Sequence, residues 1–311
     1  MTDLARTIIV PLGLWRSKTT NARAEILTMN KDKVRYQLAN GEAGVIGKGE
    51  VRECETGLWF TCMQPAVRVK LSGIGKLHKG KLFDHLFGLD SQVEVVMSAL
   101  QAAADSGMRN RFHCLLWGVP GCGKTEIMLG VGQMMRNAGV ECIMLDATST
   151  TEAGMRKRLI EGESEPDVIL IEEIEKVNET AIRWLLGVMD SRAEIKRENF
   201  NHSDCKTVKA LIIATANDME KLGKMVGGAL RSRFQNEVYC PRLGRDTLRK
   251  VLTREVWKVG GRVAWIEPTL VWGEVNGISD PRKLIPVCLQ GGDRLLTGEW
   301  QRCLTETTKG V

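Results

Sequence analysis

A glycine-rich segment from Gly118 to Thr125 carries the residues best suited to chemistry in this chain. Its sequence, GVPGCGKT, fits the pattern G-x-x-x-x-G-K-[ST] at every fixed position. Three glycines let the backbone curl so that successive N–H groups face one concavity, which favours a bound polyphosphate. In such a loop the lysine reaches the β- and γ-phosphates, and the hydroxyl that follows it binds Mg²⁺. We therefore predict that this chain binds a nucleoside triphosphate, through Gly118, Val119, Pro120, Gly121, Cys122, Gly123, Lys124, Thr125 and Glu126.

The residues on either side of this loop predict the elements that must position it. The apolar run Phe112 to Trp117 is typical of a buried strand, and Glu126 to Arg136 is typical of a helix. A strand, a glycine loop and a helix in this order are the context that the phosphate-binding pattern requires. The N-terminus of the helix adds the positive end of its dipole to the site.

Polar residues that could act on a bound triphosphate follow two later apolar runs. Glu172 and Glu173 end the predicted strand Asp167–Ile171, and Asn217 follows the predicted strand Lys209–Ala214. Carboxylates at the tip of a strand beside a phosphate loop can orient the Mg²⁺ shell and polarise the attacking water. The amide of Asn217 is expected at the same edge of the sheet.

Continuous apolar strands that alternate with helices indicate a parallel sheet covered on both faces. Asp90 is a plausible N-cap for a helix that ends near Gly107. After Pro241 the pattern predicts three or four helices and no strand. The remaining predicted strands and helices of the central region are Val140–Leu145, 152–161, 179–190 and Glu237–Cys240.

The first 80 residues have a different character, with short β-leaning runs between turn residues. Asn40-Gly41 is a strong two-residue hairpin signal. A short helical turn is expected near Ala22–Leu27, and the Gly/Lys-rich stretch Ser72–Lys81 is typical of a linker. We expect a small antiparallel sheet or barrel with strands at Thr7–Val10, Lys33–Leu38, Gly44–Ile46, Leu58–Cys62 and Ala66–Leu71.

Together with Arg233 in the run Gly228–Phe234 and with Arg282, these motifs resemble the AAA+ ATPase family over about Leu82 to Leu296. The resemblance implies an α/β fold, a doubly wound parallel-sheet P-loop ATPase domain with a small helical lid, and the pattern of the first 80 residues predicts a small β-rich N-terminal domain before it. The predicted boundaries are 1–80 for the basic β-rich domain, 81–240 for the nucleotide-binding domain and 241–311 for the lid.

The resemblance also implies a role for each motif residue. Gly118–Thr125 is Walker A, Val168–Glu173 is Walker B, and Phe87–Asp90 is expected to lie against adenine. The implied catalytic residues are Lys124, Glu173, Asn217 as sensor 1 and Arg233 as arginine finger; Arg282 would bind nucleotide as sensor 2, and Thr125 and Glu172 would hold Mg²⁺. The family usually has Asp where this chain has Glu172. The alternatives are therefore an enzyme that hydrolyses ATP slowly and an inactive scaffold that only binds nucleotide.

An arginine finger acts on ATP bound to a neighbouring subunit, so the resemblance implies a homo-oligomer, with a closed ring of about six subunits expected. Residues 191–206 are predicted to form a hairpin before the sensor-1 strand, or else a surface loop. Such a hairpin is similar to the pre-sensor-1 branch, which contains the Holliday-junction branch-migration helicase, Lon protease and Clp unfoldases. The region Asp146–Leu159 lacks the aromatic residue with which unfoldases grip polypeptide, and instead has cations at 156–158.

Charge separates the N-terminal region from the rest of the chain. Residues 1–82 contain 14 Lys/Arg against 7 Asp/Glu, whereas the remainder contains 30 against 31, within an overall net charge of +6. A basic appendage fits a nucleic-acid partner, and a solvated charged surface is the equally plausible alternative. We expect remodelling or translocation of a macromolecule driven by ATP hydrolysis, with nucleic acid favoured, a protein client as the rival and a slowly hydrolysing structural ring as the third possibility.

Nine cysteines without C-x-x-C pairs and the absence of a long apolar run predict a reduced cytoplasmic protein with no membrane association, no signal peptide and no zinc site. Cys122 lies inside the phosphate loop. It is either sensitive to oxidation or simply a small residue that fits there.

Overall fold

The N-terminal part of the chain forms a five-stranded antiparallel sheet. The computed structural model describes residues 13–17, 23–29, 33–38, 43–47, 63–65, 69–149, 154, 159, 165–199, 202–298 and 300. The strands of this sheet are β1 (Gly13–Ser17), β2 (Arg23–Met29), β3 (Lys33–Leu38), β4 (Ala43–Gly47) and β5 (Met63–Pro65), in the spatial order β4-β3-β2-β1-β5. Strands β3 and β4 pair antiparallel, as the predicted hairpin requires, whereas Asn40-Gly41 itself lies outside the described residues.

One N-terminal prediction is wrong. The segment near Ala22–Leu27 is not a helical turn, because β2 occupies it and pairs on both sides, with β1 and with β3. Two neighbours satisfy the backbone groups of this strand, and such pairing overrides a weak local preference for helix. The predicted strands Thr7–Val10 and Leu58–Cys62 lie outside the described residues.

A second five-stranded sheet is the centre of the fold, and every neighbouring pair of its strands runs parallel. Its strands are β6 (Cys114–Trp117), β7 (Cys142–Asp146), β8 (Val168–Glu172), β11 (Leu211–Ala216) and β12 (Asn236–Tyr239). The strand order is β12-β6-β11-β8-β7. This confirms the predicted parallel sheet, and each predicted strand is present with its ends shifted by no more than two residues.

Helices cover both faces of this sheet, as the fold class predicts. Val168 and Leu170 of β8 belong to the core on one face, whereas Ile169 and Ile171 belong to the core on the other. Because successive side chains of a strand point to opposite faces, a strand buried on both must be apolar throughout. The helices are α1 (Asp90–Asp105), α2 (Lys124–Ala138), α3 (Glu179–Met189) and α4 (Met219–Lys224), with short 3-10 turns at Leu71–Gly73, Ile174–Lys176, Met225–Gly228 and Arg231–Arg233.

The start of α1 differs from the prediction. Asp90 is the first residue of this helix and not its N-cap; Leu89 takes that position and makes no side-chain capping bond. The Asp90 carboxylate still favours the first turn through the helix dipole. Most of the predicted helix 152–161 lies outside the described residues, although Gly154 and Leu159 are helical.

The C-terminal region is helical, as predicted, and has a hydrophobic core of its own. We call this region the lid; it contains α5 (Arg245–Lys258), α6 (Ile266–Val275) and α7 (Pro281–Gly291), with 3-10 turns at Val263–Trp265 and Gly292–Leu295.

No helix among the described residues is long and apolar enough to cross a membrane.

The predicted hairpin between α3 and β11 is confirmed. Its strands, β9 (Glu194–Asn199) and β10 (His202–Thr207), pair antiparallel. The base of the hairpin is attached to the core, because Val208 N–H donates to the Ala193 carbonyl at 2.8 Å. Close packing at Gly187 of α3 adds to this attachment: a Cβ there would lie 2.6 Å from the Glu194 carbonyl oxygen.

Val69, Leu71 and Leu77 attach residues 69–81 to the central domain, so the stretch predicted as a linker is not free. Val69 bridges to Val140, and Leu77 is buried in the core. The strand predicted to end at Leu71 is reduced, among the described residues, to this bridge and the 3-10 turn that follows it. The buried Asp167 carboxylate accepts the Leu71 N–H at 2.7 Å and thereby attaches this segment to the start of β8.

This contact yields a stability prediction. Asp167→Ala should lower the free energy of unfolding by about 2–3 kcal/mol, because a buried N–H loses its charged acceptor. Lys70→Ala is the matched control: Lys70 also pairs with Asp167, at 3.3 Å, but its side chain is 59% exposed. The control should cost less than about 1 kcal/mol. Denaturant unfolding measures both, and equal effects of the two substitutions would contradict this account.

Candidate functional site

The glycine-rich loop connects β6 to α2 and has the backbone that the sequence predicts. Gly121 and Gly123 have φ values of 78° and 96°, a region that favours glycine. Space is also limited, because a Cβ on Gly121 would lie 2.2 Å from the Asp280 Oδ1 atom of the lid. The loop can therefore curl beneath the lid only with glycine at this position.

Lys124 lies at the start of α2 with its ammonium group held inside the loop. The Nζ atom donates to the carbonyl oxygens of Gly118 at 2.7 Å and Val119 at 2.9 Å. These two residues therefore support the lysine from behind, whereas Pro120 to Glu126 line the neighbouring cavity. A phosphate oxygen would have to replace the carbonyls as the partner of this cation.

Thr125 and Glu172 meet at the carboxyl end of β8. The Thr125 hydroxyl donates to Glu172 Oε1 at 2.9 Å. Two oxygen ligands close together, beside a loop suited to phosphate, match the preference of Mg²⁺ for a few protein oxygens completed by phosphates and water. The described residues contain no group of three or more His, Cys, Asp or Glu that could hold a metal ion alone, so the phosphates would have to supply ligands. Both residues predicted to hold Mg²⁺ thus fit it, including Glu172 with its extra methylene.

Glu173 follows β8 in a backbone conformation that is unusual for a residue other than glycine, with φ 53° and ψ 53°. Its N–H donates to the Thr215 hydroxyl at 3.0 Å, which helps to hold this conformation. The carboxylate accepts the Asn217 side-chain amide at 2.7 Å and also pairs with Lys176. The two residues predicted from the ends of adjacent strands, Glu173 and Asn217, are therefore in direct contact.

Behind this pair lies Glu175, a residue that the sequence did not indicate as part of the site. It is only 3% exposed, and its Oε1 accepts the Asn217 N–H at 3.0 Å. Thr215, which is also buried, was likewise missed. Glu175 and Thr215 fix the backbone of Asn217 and Glu173, respectively. The sequence carries no signal for either, because Glu and Thr are common residues near the end of a strand.

A cavity of about 270 Å³ opens beside these groups. Phe87 and Leu89 of the segment Phe87–Asp90 line it, and contact of this segment with adenine remains a prediction. The lid closes the apolar side with residues that the sequence did not indicate, namely Leu243, Val251, Arg254 and Ile285. Arg254 also connects lid and core, because its Nη1 donates to the His85 carbonyl at 3.2 Å.

Arg282 lines the same cavity from the start of α7. Its guanidinium pairs with Asp280, with Nη2 to Oδ2 at 2.8 Å and Nε to Oδ1 at 3.1 Å. These hydrogen bonds raise the pKa of Arg282. Asp280 also caps α7, since its carboxylate accepts the Arg282 N–H at 3.0 Å.

Arg233 is not among the residues that line this cavity. Its Nη1 pairs with Asp190 Oδ2 at 2.8 Å, at the end of α3. The neighbouring Arg231 forms a bidentate pair with Glu237, at 2.7 and 2.8 Å. Within one chain, Arg233 therefore lies away from the other predicted site residues. Its predicted role in the site of a neighbouring subunit remains a prediction.

A parallel sheet with a glycine loop after β6 and carboxylates after β8 defines a P-loop nucleotide-binding protein. Residues 114–242 match the model of the ATPase family associated with various cellular activities (AAA). This part of the chain is therefore an AAA-type ATPase domain, and the resemblance to AAA+ ATPases is confirmed.

Comparison with solved structures gives more distant similarities. A point mutant of Thermotoga maritima RuvB has a TM-score of 0.48 at 18% identity, covering 64% of this chain and 60% of that one. The RuvB Holliday junction branch migration motor from the same organism has a TM-score of 0.46 at 19% identity, covering 70% and 64%. NtrX from Brucella abortus in complex with ADP has a TM-score of 0.44 at 12% identity, covering 62% and 50%.

The chain thus spans less than two thirds of the length of these solved structures. No curated protein sequence matches the chain.

The pairing of Arg282 with Asp280 yields a prediction about nucleotide affinity. Asp280→Asn removes the charge that holds the guanidinium but keeps a good N-cap for α7. The freed Arg282 should strengthen binding of an ATP analogue by roughly two- to fivefold, since an exposed ion pair is worth up to about 1 kcal/mol. Titration of a fluorescent ATP analogue measures this. Asp280→Ala is the control that also loses the cap, and unchanged or weaker binding by a well-folded Asp280→Asn would contradict the prediction.

Proposed function

We propose that this chain is an AAA+ ATPase that couples Mg-ATP hydrolysis in a ring oligomer to movement of a macromolecule. The observation that carries the proposal is the contact between Asn217 and Glu173, 2.7 Å apart at the ends of adjacent parallel strands and beside the phosphate loop. A carboxylate held by an amide at this position is suited to orient water for attack on a phosphoryl group.

In this proposal each residue has one task. Lys124 exchanges its loop carbonyls for phosphate oxygens, and Glu173 accepts a hydrogen bond from the attacking water while Asn217 holds its carboxylate in place. Thr125 and Glu172 hold Mg²⁺, which when bound would neutralise negative charge on the phosphates. Arg282 contacts the nucleotide from the lid and so transmits its presence to α5–α7.

We further propose that Arg233 completes the site of a neighbouring subunit. Its guanidinium side chain is 39% exposed. An exposed cation that is absent from its own cavity is suited to a site built between subunits. A homo-oligomeric ring, expected to be a hexamer, would supply one such contact per interface.

Mixing two inactive variants tests this arrangement. Glu173→Gln and Arg233→Ala should each lower the ATPase rate by roughly 100-fold or more. Mixed in equal amounts and allowed to exchange, they should recover about a quarter of the wild-type rate, because an interface with both intact residues forms at that frequency in a cyclic oligomer.

The control for this experiment is the double variant mixed with either single variant, which leaves every interface defective. An equal mixture of the single variants that is no faster than this control would overturn the role of Arg233 in trans. Retained binding of an ATP analogue by Glu173→Gln separates lost hydrolysis from lost binding.

The macromolecule that we favour is nucleic acid. Support comes from the excess of seven positive charges in residues 1–82. Further support comes from the cations at 156–158, which lie outside the described residues, and from the missing aromatic residue in 146–159. We propose that residues 1–80 contact the substrate, that residues 81–240 hydrolyse ATP, and that residues 241–311 move when nucleotide binds or is hydrolysed. This would place the chain in the branch that carries a hairpin before sensor 1. A reduced cytoplasmic environment remains a prediction.

Stimulation of the ATPase distinguishes the substrate classes. DNA or RNA should raise the rate, with an apparent affinity that falls at least roughly tenfold between 50 and 200 mM salt as counterions are released. A permanently unfolded polypeptide at equal mass should have no effect, and the Glu173→Gln variant corrects for contaminating ATPase. Stimulation by the polypeptide alone would favour a protein remodeller, and stimulation by neither polymer would favour a slowly hydrolysing structural ring.

A further inference from the structure

Two cysteines meet behind the phosphate loop, and the proposed ATPase mechanism uses neither thiol. Cys122 belongs to the loop and Cys240 follows β12; both are buried, at 1% and 0% exposure. Both cysteines lie against Gly118: a Cβ on this glycine would be 3.3 Å from Cys122 Sγ and 2.2 Å from the Cys240 carbonyl oxygen. Each thiol is the largest cause of the shift in the pKa of the other, as expected for two sulfurs that lie close together.

The surroundings of this pair favour ionisation of one sulfur. The hydrogen bond from Cys240 and the ammonium of Lys124, whose Nζ lies 3.5 Å from Cys122 Sγ, lower the pKa of Cys122 to about 6, although burial opposes the shift. The same contact and burial raise the pKa of Cys240 above its usual range. One thiolate beside one protonated thiol is the arrangement of a nucleophile with its resolving partner.

The other thiols of the central sheet contrast with Cys122. Burial raises the pKa of Cys114 and of Cys142 to about 12, so both remain protonated and unreactive at neutral pH. Burial alone therefore does not produce a thiolate in this sheet. The distinguishing features of Cys122 are the neighbouring thiol and the neighbouring ammonium group.

We propose that Cys122 and Cys240 form a thiol redox site, in which a hydroperoxide converts the two thiols to a disulfide that closes the phosphate loop to nucleotide. With hydrogen peroxide as the oxidant, the Cys122 thiolate attacks one oxygen, so that an S–O bond forms and the O–O bond breaks. The hydroxide that leaves takes up the proton that the thiol released on ionisation, which gives the first water. The Cys240 sulfur then attacks Cys122, so that the S–S bond forms, the S–O bond breaks and a second water leaves. Two thiols lose two electrons, and one hydroperoxide is reduced.

Cys122 is among the residues that line the cavity, so in this proposal a small oxidant would approach the pair from that side. Bound nucleotide would cover this route and protect the thiols. A disulfide would attach the loop to Cys240, whose N–H already donates to the Trp117 carbonyl at 2.8 Å. It would also remove Cys122 Sγ as a partner of Lys124, so the loop would lose the freedom to rearrange around phosphates.

Peptide mapping of the full-length chain tests the chemistry without relying on ATPase activity. After exposure to hydrogen peroxide and alkylation of the remaining thiols, a peptide pair that joins Cys122 to Cys240 should appear, and excess ADP should suppress it at least tenfold. In Cys240→Ser the reaction should stop at the Cys122 sulfenic acid, which dimedone traps. Cys142→Ser is the matched control and should form the same cross-link as wild type. A Cys122 peptide that stays reduced in wild type, or that joins a different cysteine, would overturn the proposal.

Alkylation of Cys122 at varied pH provides an independent measurement on the reduced protein. The titratable and charged groups nearest this sulfur are Cys240 and Lys124; Arg282, which pairs with Asp280, acts on it only as a more distant charge, and Asp280 lies next to Gly121. The rate of reaction with iodoacetamide should rise through a midpoint near pH 6, because only the thiolate reacts and it forms as pH rises through the pKa. A midpoint above pH 8 would contradict the proposed thiolate.

The effect on nucleotide rests on the proposed function and is measured separately. Oxidised wild type should bind a fluorescent ATP analogue at least tenfold more weakly than reduced wild type, and dithiothreitol should restore binding. If the cross-link forms but reduced protein binds no analogue, the proposed function fails while the redox site stands. If oxidised protein binds as tightly as reduced protein, closure of the loop by the disulfide is wrong.

Discussion

The parallel pairing of β11 with β6 on one side and β8 on the other is the constraint on which the site depends. In this register Ala216 is opposite Trp117, and Ala214 is opposite Ile171. The chain therefore leaves all three strands at one edge, and Gly118, Glu172 and Asn217 emerge together. Because each strand is buried on both faces, a shift of register would expose apolar side chains and is strongly disfavoured. The packing of the sheet thus fixes the relative positions of the site residues. Other open α/β folds likewise bind their ligands beyond the carboxyl ends of the strands.

The charged side chains that we propose to act on phosphates already have partners within the chain. Lys124 bonds to carbonyls of its own loop, Glu173 to Asn217 and Lys176, and Arg282 to Asp280. A buried cation such as Lys124 would be costly without such partners. Binding of nucleotide therefore exchanges one set of contacts for another, and affinity is the difference between the two sets. The left-handed backbone at Glu173 is held in the same way by Thr215, so contacts within the chain already fix the arrangement that the proposed hydrolysis would use.

The sequence was sufficient to locate the residues whose chemistry follows from a local pattern. The phosphate loop, Glu172 and Glu173, and Asn217 could be predicted because glycine spacing and polar residues after apolar strands are visible along the chain. Thr215, Glu175 and Arg254 could not, because each acts through a contact between distant segments, such as Arg254 with the His85 carbonyl. The same limit explains the error over residues 72–81: their glycines and lysines indicate a linker, whereas the attachment of Leu71 to Asp167 depends on a residue almost one hundred positions later. For β2, pairing with two neighbouring strands decided the structure against a weak local preference.

Asp280 couples the phosphate loop to the lid more directly than the sequence pattern suggests. Its carboxylate caps α7, pairs with Arg282 and lies against Gly121, where a Cβ would come within 2.2 Å of Oδ1. Any movement of the loop toward phosphates must therefore displace this carboxylate or turn the start of α7 with it. Since α7 packs into the core of the lid through Leu284 and Cys288, such a displacement would move the lid as a body and not as a single side chain. A small rearrangement around a phosphate could in this way become a rotation of α5–α7, which is the amplification that the proposed function requires.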